Sequence, residues 1–177
     1  MAMQFLKLVH STARWVPATL TIFMILALLP VISNAQDRPY AYGPLTAGEL
    51  FADYSRFQER AEKVAPDQAD VEKLAGLKDS VHVKIFLATW CPDSRKHVPT
   101  MLRLMDAKEF PLFTREIVGV DYDKKDPEGR SGEHNITHVP TFIVYHEGEE
   151  IGRIIEHPEH SIARDFLGIL EEANLLK

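Results

Sequence analysis

The segment VHVKIFLAT, residues 81–89, is the feature that most constrains what this chain can fold into. Its first residues alternate between apolar and polar types and its last ones are mostly apolar, which is typical of a central strand buried on both faces. Apolar residues then recur at helical spacing over Pro92–Ala107, and a second buried strand is predicted for Arg115–Asp123. The middle of the chain therefore alternates strand, helix and strand.

Further elements are predicted on both sides of this segment. A capping box at Thr46 begins a helix over Ala47–Val64, and a second short helix covers Gln68–Leu77. Residues 141–157 predict two strands joined by a turn that contains glycine, and an amphipathic helix follows over Ser161–Leu175. These elements fit one domain in a chain of 177 residues.

The first 35 residues have the pattern of an export signal. Basic residues precede an apolar run over Val16–Ile32, and the small residues Ser33 and Ala35 fit the positions that a signal peptidase reads. We therefore expect a mature chain that starts at Gln36 and lies in the periplasm or outside the cell. The alternative is an uncleaved membrane anchor, because the apolar run is long for a signal and short for a spanning helix.

Charge and histidine spacing argue against two kinds of partner. The net charge is −6, and Lys and Arg are interspersed with Asp and Glu, so the sequence has no basic stripe for nucleic acid. His157 and His160 lie around a proline, and His134 and His138 lie in a loop. Neither pair has a convincing metal-ligand spacing with Cys91. We expect no nucleic acid, no metal and no cofactor.

Cys91 is the single cysteine of the chain and lies where the strand pattern gives way to the helix pattern. An exported domain with one thiol has no internal disulfide, so this thiol is buried, paired with another molecule or reactive. Free N–H groups and the helix dipole at a helix start favour a thiolate, and Pro92 suits the first helical position. Asp93 disfavours the thiolate, whereas Arg95 and Lys96 favour it.

Two motifs together resemble the thioredoxin family. The first is WCPDS, Trp90–Ser94, with Pro99 in the helix that follows, and the second is VPTF, Val139–Phe142, before the hairpin. The resemblance covers about Val81–Lys177. It implies an α/β, thioredoxin-like fold with a central mixed β-sheet flanked by helices, preceded by an N-terminal arm and helices over residues 36–80.

The resemblance also implies a role for each motif residue. Cys91 is the nucleophile, and Trp90 flanks its sulfur. Pro140 is a cis proline that lies against the sulfur and leaves the backbone of Val139 free to pair with an extended substrate. The predicted catalytic residues are Cys91 and Ser94, and the predicted substrate-binding residues are Trp90, Pro92, Val139, Pro140 and Thr141.

The sequence departs from the family where the second thiol and its proton-handling pair are expected. Ser94 replaces the second cysteine of the usual Cys-x-x-Cys motif, and a hydroxyl cannot resolve a mixed disulfide. Ile85 and Ile117 occupy the positions of the family's buried acid and its lysine. The expected reaction is monothiol exchange with a disulfide-containing or glutathionylated protein, or with a small thiol compound, completed by an external reductant thiol.

Other readings of Cys91 are open at this point. The thiol could be oxidised to a sulfenic acid and reduced by a partner. The domain could instead be a non-catalytic module that binds an extended peptide or a partner protein beside Val139 and Pro140. In a third reading, Cys91 is only a small buried hydrophobe.

Overall fold

The computed structural model describes residues 39–108, 110 and 112–177. These residues belong to one compact unit, Arg38–Lys177. The predicted signal peptide or anchor, residues 1–35, lies outside the described residues. Among the helices described from residue 39 onward, none combines the length and the hydropathy that a membrane span requires.

The described chain forms short helices first and then alternates strands and helices. In chain order the elements are β1 (Gly43–Leu45), α1 (Ala47–Asp53), α2 (Ser55–Lys63), α3 (Gln68–Leu74), β2 (Val81–Leu87), α4 (Pro92–Met105), β3 (Phe113–Gly119), α5 (Arg130–Glu133), β4 (Thr141–His146), β5 (Glu149–Ile155) and α6 (Ile162–Glu172).

The strands form one mixed sheet with the order β1-β3-β2-β4-β5. β2 and β3 are parallel, and the other three neighbouring pairs are antiparallel. β2 is the central strand, where Ile85 pairs with Ile117 on one side and with Phe142 on the other. The predicted mixed sheet flanked by helices is therefore confirmed.

The two faces of this sheet are covered unequally. Successive side chains of β2 point to opposite faces, so Ile85 lies in one core and Phe86 in the other. The larger core receives side chains from α1, α2, α3, α4 and α6. The smaller core is closed by the segment after α5, which contributes Ile136 and Val139. All the longer described helices thus supply a single core.

The N-terminal helices share the larger core with the later part of the chain. Leu50 and Phe57 are fully buried there beside the strand residues. The helix predicted for Ala47–Val64 is interrupted at Tyr54, whose non-helical backbone ends α1 and begins α2. The predicted capping box is present, since Thr46 accepts from the Glu49 N–H at 3.1 Å.

The predicted arm contains a short edge strand. β1 pairs antiparallel with β3, and Gly43 lies opposite Gly119. A Cβ atom at Gly119 would lie 2.6 Å from backbone atoms of Ala41, so the arm can approach β3 this closely only because residue 119 is glycine. The hairpin is as predicted, and Glu147 and Gly148 both have positive φ at its turn.

A polar network lies on the thinly covered face of the sheet. The Nε2 atom of His134 is 2.9 Å from Lys84 Nζ, and its Nδ1 atom is 3.2 Å from the Tyr145 hydroxyl. An ammonium group only donates, so Nε2 accepts and the proton of the neutral ring lies on Nδ1. Glu116 pairs with Lys84 at 3.3 Å and with Arg130 at 2.9 Å.

We expect His134 to make stability depend on pH. Burial, and then the Lys84 charge, lower the pKa of His134 from its ordinary value of 6.5. The unfolded chain therefore binds a proton more readily, and the free energy of unfolding is largest above about pH 6.5 and falls as the pH drops. His134→Gln is expected to flatten this fall in urea titrations between about pH 7 and pH 5.

The matched control is His138→Gln, because His138 is an exposed loop histidine. This variant also removes one imidazole but leaves the contacts of His134 with Lys84 and Tyr145 in place. Some slope remains in His134→Gln, since burial also lowers the pKa of His82 and His97. Identical pH profiles for His134→Gln and the parent protein would show that His134 is not the titrating group.

Candidate functional site

Cys91 is the N-terminal cap of α4, at the end of the loop that leaves the central strand β2. Pro92 is the first helical residue and is exposed, where a missing N–H costs no hydrogen bond. The Cys91 side chain does not cap the helix, and 6% of the residue is exposed. The helix start therefore delivers the sulfur to the edge of the smaller core.

The thiol of Cys91 contacts the second sequence motif. Its Sγ atom donates to the carbonyl oxygen of Val139 at 3.2 Å. The Val139–Pro140 peptide bond is cis, and both residues are buried. Thr141 begins β4, and its hydroxyl donates to the His138 carbonyl at 2.8 Å. Two segments that are 48 residues apart in the chain therefore meet at the sulfur.

Ser94 lies behind Cys91 and is fully buried. Its hydroxyl oxygen accepts a hydrogen bond from the Ala88 N–H at 3.2 Å. Ala88 lies in the loop between β2 and α4. The hydroxyl thus holds the loop that carries Cys91.

The larger core is apolar at the two positions where the resemblance implies a proton-handling pair. Ile85 is fully buried and Ile117 is 3% exposed. The two residues are direct neighbours across the parallel strands β2 and β3. Isoleucine has no titratable side chain, so neither position offers a group that takes a proton from a second thiol.

Arg95 supplies positive charge to the loop. Its guanidinium donates to the carbonyl of Trp90 at 2.7 Å and to the carbonyl of Cys91 at 3.3 Å. It therefore fixes the backbone on both sides of the reactive residue. Lys96, which was also expected to favour the thiolate, is exposed.

Two tyrosines that neither sequence motif contains extend the site around Trp90. Trp90 stacks on Tyr122 with ring centroids 4.8 Å apart, and Tyr40 packs edge-on against Tyr122 at 5.5 Å. Tyr122 is 61% exposed. We call Tyr40, Trp90 and Tyr122 the aromatic platform.

The loop after β3 places Tyr122 in the aromatic platform. The strand predicted to continue to Asp123 ends at Gly119, because the Asp121 carboxylate accepts from the N–H groups of Asp123 and Lys125. This local turn lifts Tyr122 out of the strand direction. The sequence signal for this turn is Asp121, which stands shortly before the polar residues 123–125. The apolar pattern before it instead predicts a strand that continues to Asp123.

A cluster of side chains with metal-ligand chemistry also lies close to the site. Asp93 and His97 are one turn apart on α4, and His157 comes from the loop between β5 and α6. Burial, and then the Lys96 charge, lower the pKa of His97 from its usual value. His134, His138 and His160 belong to no such cluster among the described residues. The cluster has no local pattern in the sequence, because His97 and His157 are 60 positions apart.

The site presents one nucleophilic atom, the Cys91 sulfur, on a loop that hydrogen bonds hold in place. The sulfur lies at a helix start, its loop is held by Ser94 and Arg95, and an exposed aromatic surface adjoins it. Among the described residues the cysteine is free. Such a site can form one covalent bond with a sulfur of another molecule.

The fold of this chain is similar to the folds of several solved structures. A protein of unknown function from Pseudomonas aeruginosa aligns with a TM-score of 0.53 and 18% identity, over 73% of this chain and 87% of that chain. An HIV epitope-scaffold aligns with a TM-score of 0.53 and 18% identity, over 72% of this chain and 87% of that chain. Mitochondrial thioredoxin 3 from Saccharomyces cerevisiae aligns with a TM-score of 0.39 and 23% identity, over 63% of this chain and 98% of that chain.

Comparison of sequences gives the family. No curated protein matches the chain. A family model described as Thioredoxin matches residues 48–165, a stretch that runs from α1 into α6 and includes both motifs of the site. This match covers well over half of the sequence, and the protein therefore belongs to the thioredoxin family.

Proposed function

We propose that this protein is a thiol–disulfide oxidoreductase that acts through Cys91 alone. The supporting observation is the position of the single thiol, which lies at the start of α4 and donates to the carbonyl of the residue before Pro140. The buried hydroxyl of Ser94 stands where a resolving thiol would be needed. The reaction therefore stops at a mixed disulfide until another thiol arrives.

The exchange conserves atoms and electrons at each step. The Cys91 thiolate attacks one sulfur of a disulfide, a new sulfur–sulfur bond forms, and the other sulfur leaves as a thiolate. An external thiol then attacks the mixed disulfide, releases Cys91 and keeps the client sulfur in a new disulfide. A second external thiol, or a dithiol, completes the reduction of the client.

The Val139 carbonyl links the chemistry to substrate binding. In the resting protein this oxygen accepts from the Cys91 thiol. A mixed disulfide has no S–H group, so bond formation leaves the carbonyl without its donor. An extended client chain then supplies an N–H to the same oxygen, which favours binding of the client only after it has reacted.

We propose the following partners on the same basis. The client is a disulfide-containing or glutathionylated protein, or a small-molecule disulfide, and the reductant is an external thiol compound. If the N-terminal segment acts as the sequence predicts, both partners meet the protein in the periplasm or outside the cell. An uncleaved segment would also attach the protein to a membrane.

The state of Cys91 in cells tests the proposal. Cells that express the full chain are quenched with an alkylating reagent, and mass spectrometry identifies what Cys91 carries. We expect glutathione or a client peptide on part of the Cys91 population, released by added thiol. An added oxygen atom would indicate sulfenic chemistry instead, and only alkylated free thiol would contradict the proposal.

The aromatic platform should contribute to client binding. Tyr122→Ala removes an exposed ring of the aromatic platform, and a contact between such a ring and an aromatic side chain of the client contributes about 0.5–1.5 kcal/mol. We expect exchange with a peptide disulfide to slow by about 2- to 10-fold. Exchange with oxidised glutathione should change less, because the small molecule covers less of the platform.

Stopped-flow rates with both disulfides check this prediction. The matched control is Tyr122→Phe, which keeps the ring and removes only the hydroxyl. This control should react like the parent protein. An equal loss for the peptide and for glutathione in Tyr122→Ala would mean that the ring shapes the thiol rather than the client surface.

A further inference from the structure

Asp93, His97 and His157 bring three ligand atoms together next to the helix start that carries Cys91. The Oδ1 atom of Asp93 is 3.6 Å from Nδ1 of His157, and all three ligand atoms lie within 4.8 Å of one another. Tetrahedral zinc with bonds of about 2.0–2.1 Å has ligand atoms about 3.4 Å apart. Small side-chain rotations therefore bring the three ligand atoms to bonding distance of one ion.

The position of each ligand supports such a site. Asp93 and His97 have the i, i+4 spacing that places two side chains on one face of a helix. His97 is 7% exposed and lies in a cleft of about 500 Å³ that also contains His157. The side chains of Asp93 and His157 are 30% and 63% exposed, so both are able to move toward an ion.

The charges around the cluster are compatible with metal binding. Lys96 and Arg60 lie near His97 and oppose a bound cation, whereas the Asp93 carboxylate attracts it. Two imidazoles and one carboxylate match the ligand set of zinc sites that keep an open fourth position.

We propose that Asp93, His97 and His157 form a site for a divalent transition-metal ion, with Zn²⁺ as the chemically matched ion. The bound ion joins α4 to the loop between β5 and α6. It also lies on the same first turns of α4 as the nucleophile, so it would offset the negative charge of Asp93 beside Cys91.

A second cluster on the surface provides a comparison. Asp79, His146 and Glu147 also place three ligand atoms within 4.8 Å, but Asp79 and Glu147 are exposed and the set has one imidazole. None of its members is buried as His97 is. We therefore expect zinc to prefer the first cluster.

The test is calorimetric titration of ZnCl₂ into tag-free protein that carries Cys91→Ser and has been stripped with EDTA. The serine removes the thiol, which would bind zinc by itself. We expect one zinc ion per chain. His157→Ala removes a ligand whose side chain is mostly exposed, so the fold should survive, and binding should weaken by at least about 100-fold.

Two controls separate this site from surface binding. His160 lines the same cleft but does not belong to the cluster, and His146 belongs to the second cluster. His160→Ala and His146→Ala should bind zinc as the parent does. NMR signals of the His97 and His157 rings should shift on zinc addition, and the His160 signals should not.

Three outcomes would overturn the inference. They are the absence of zinc binding in the Cys91→Ser protein, binding that His157→Ala weakens by less than about 10-fold, and binding that is lost in His146→Ala. None of them bears on the exchange reaction, because the titration contains no thiol. Failure of the metal site and failure of the proposed function are therefore distinguishable.

Discussion

A Cys91→Ser variant is expected to lose thiol–disulfide exchange altogether. The sequence contains no other cysteine, and the hydroxyl of serine does not attack a disulfide under physiological conditions. The rate with a peptide disulfide should fall by at least about 1000-fold, to that of buffer. The fold should persist, because the substitution keeps the size and removes one weak S–H donor.

The same variant separates the proposed enzyme from a binding module. Reduction of a fluorescent peptide disulfide measures activity, and capture of a non-cleavable peptide measures affinity. Ser94→Ala is the matched control, since it keeps the thiol and alters only its support. A Cys91→Ser protein that keeps both binding and its effect in cells would favour the non-catalytic reading over the oxidoreductase.

A Ser94→Cys variant is expected to release its client without an external thiol. Cys91 and residue 94 lie in the first turn of α4, at the spacing of the family's usual Cys-x-x-Cys motif. The new thiol attacks the mixed disulfide, frees the client and closes an internal disulfide. Trapped adducts should disappear, and the isolated protein should contain no free thiol after oxidation.

A control variant and a stability measurement complete this experiment. Thr100→Cys adds a thiol to the same helix at about 13 Å of axial rise from Cys91, too far to resolve the adduct. This control should still accumulate mixed disulfides. The reduced Ser94→Cys protein should lose about 1 kcal/mol of stability, because sulfur accepts weakly from the Ala88 N–H. Mixed disulfides that persist in Ser94→Cys even at alkaline pH, where the new thiol ionises without a proton acceptor at residues 85 and 117, would contradict the proposed mechanism.

Sequence patterns predicted the elements that depend on local preference. The apolar run at residues 81–89 became the central strand, and the glycine-containing turn became the β4–β5 hairpin. The helix after Cys91 began at Pro92 as predicted. These elements are set by periodicity, capping and turn chemistry, which act between neighbours in the chain.

Predictions were less accurate where distant segments decide the structure. The helix over Ala47–Val64 breaks at Tyr54, and the break lies between Leu50 and Phe57, which are both buried in one core. The edge strand β1 forms only because β3 offers it a partner. Neither effect has a local signal that the sequence analysis used.

The sequence by itself determined that one thiol lies at the start of a helix after a buried strand, and that residue 94 cannot act as a second thiol. Only the tertiary structure decided what surrounds that thiol. Three groups that are 31 to 66 positions from Cys91 in the sequence lie close to it or to the first turns of α4: the Tyr122 ring, the Val139 carbonyl and His157. Such contacts arise because the sheet and its loops pack around a common core, and no local pattern of residues encodes them.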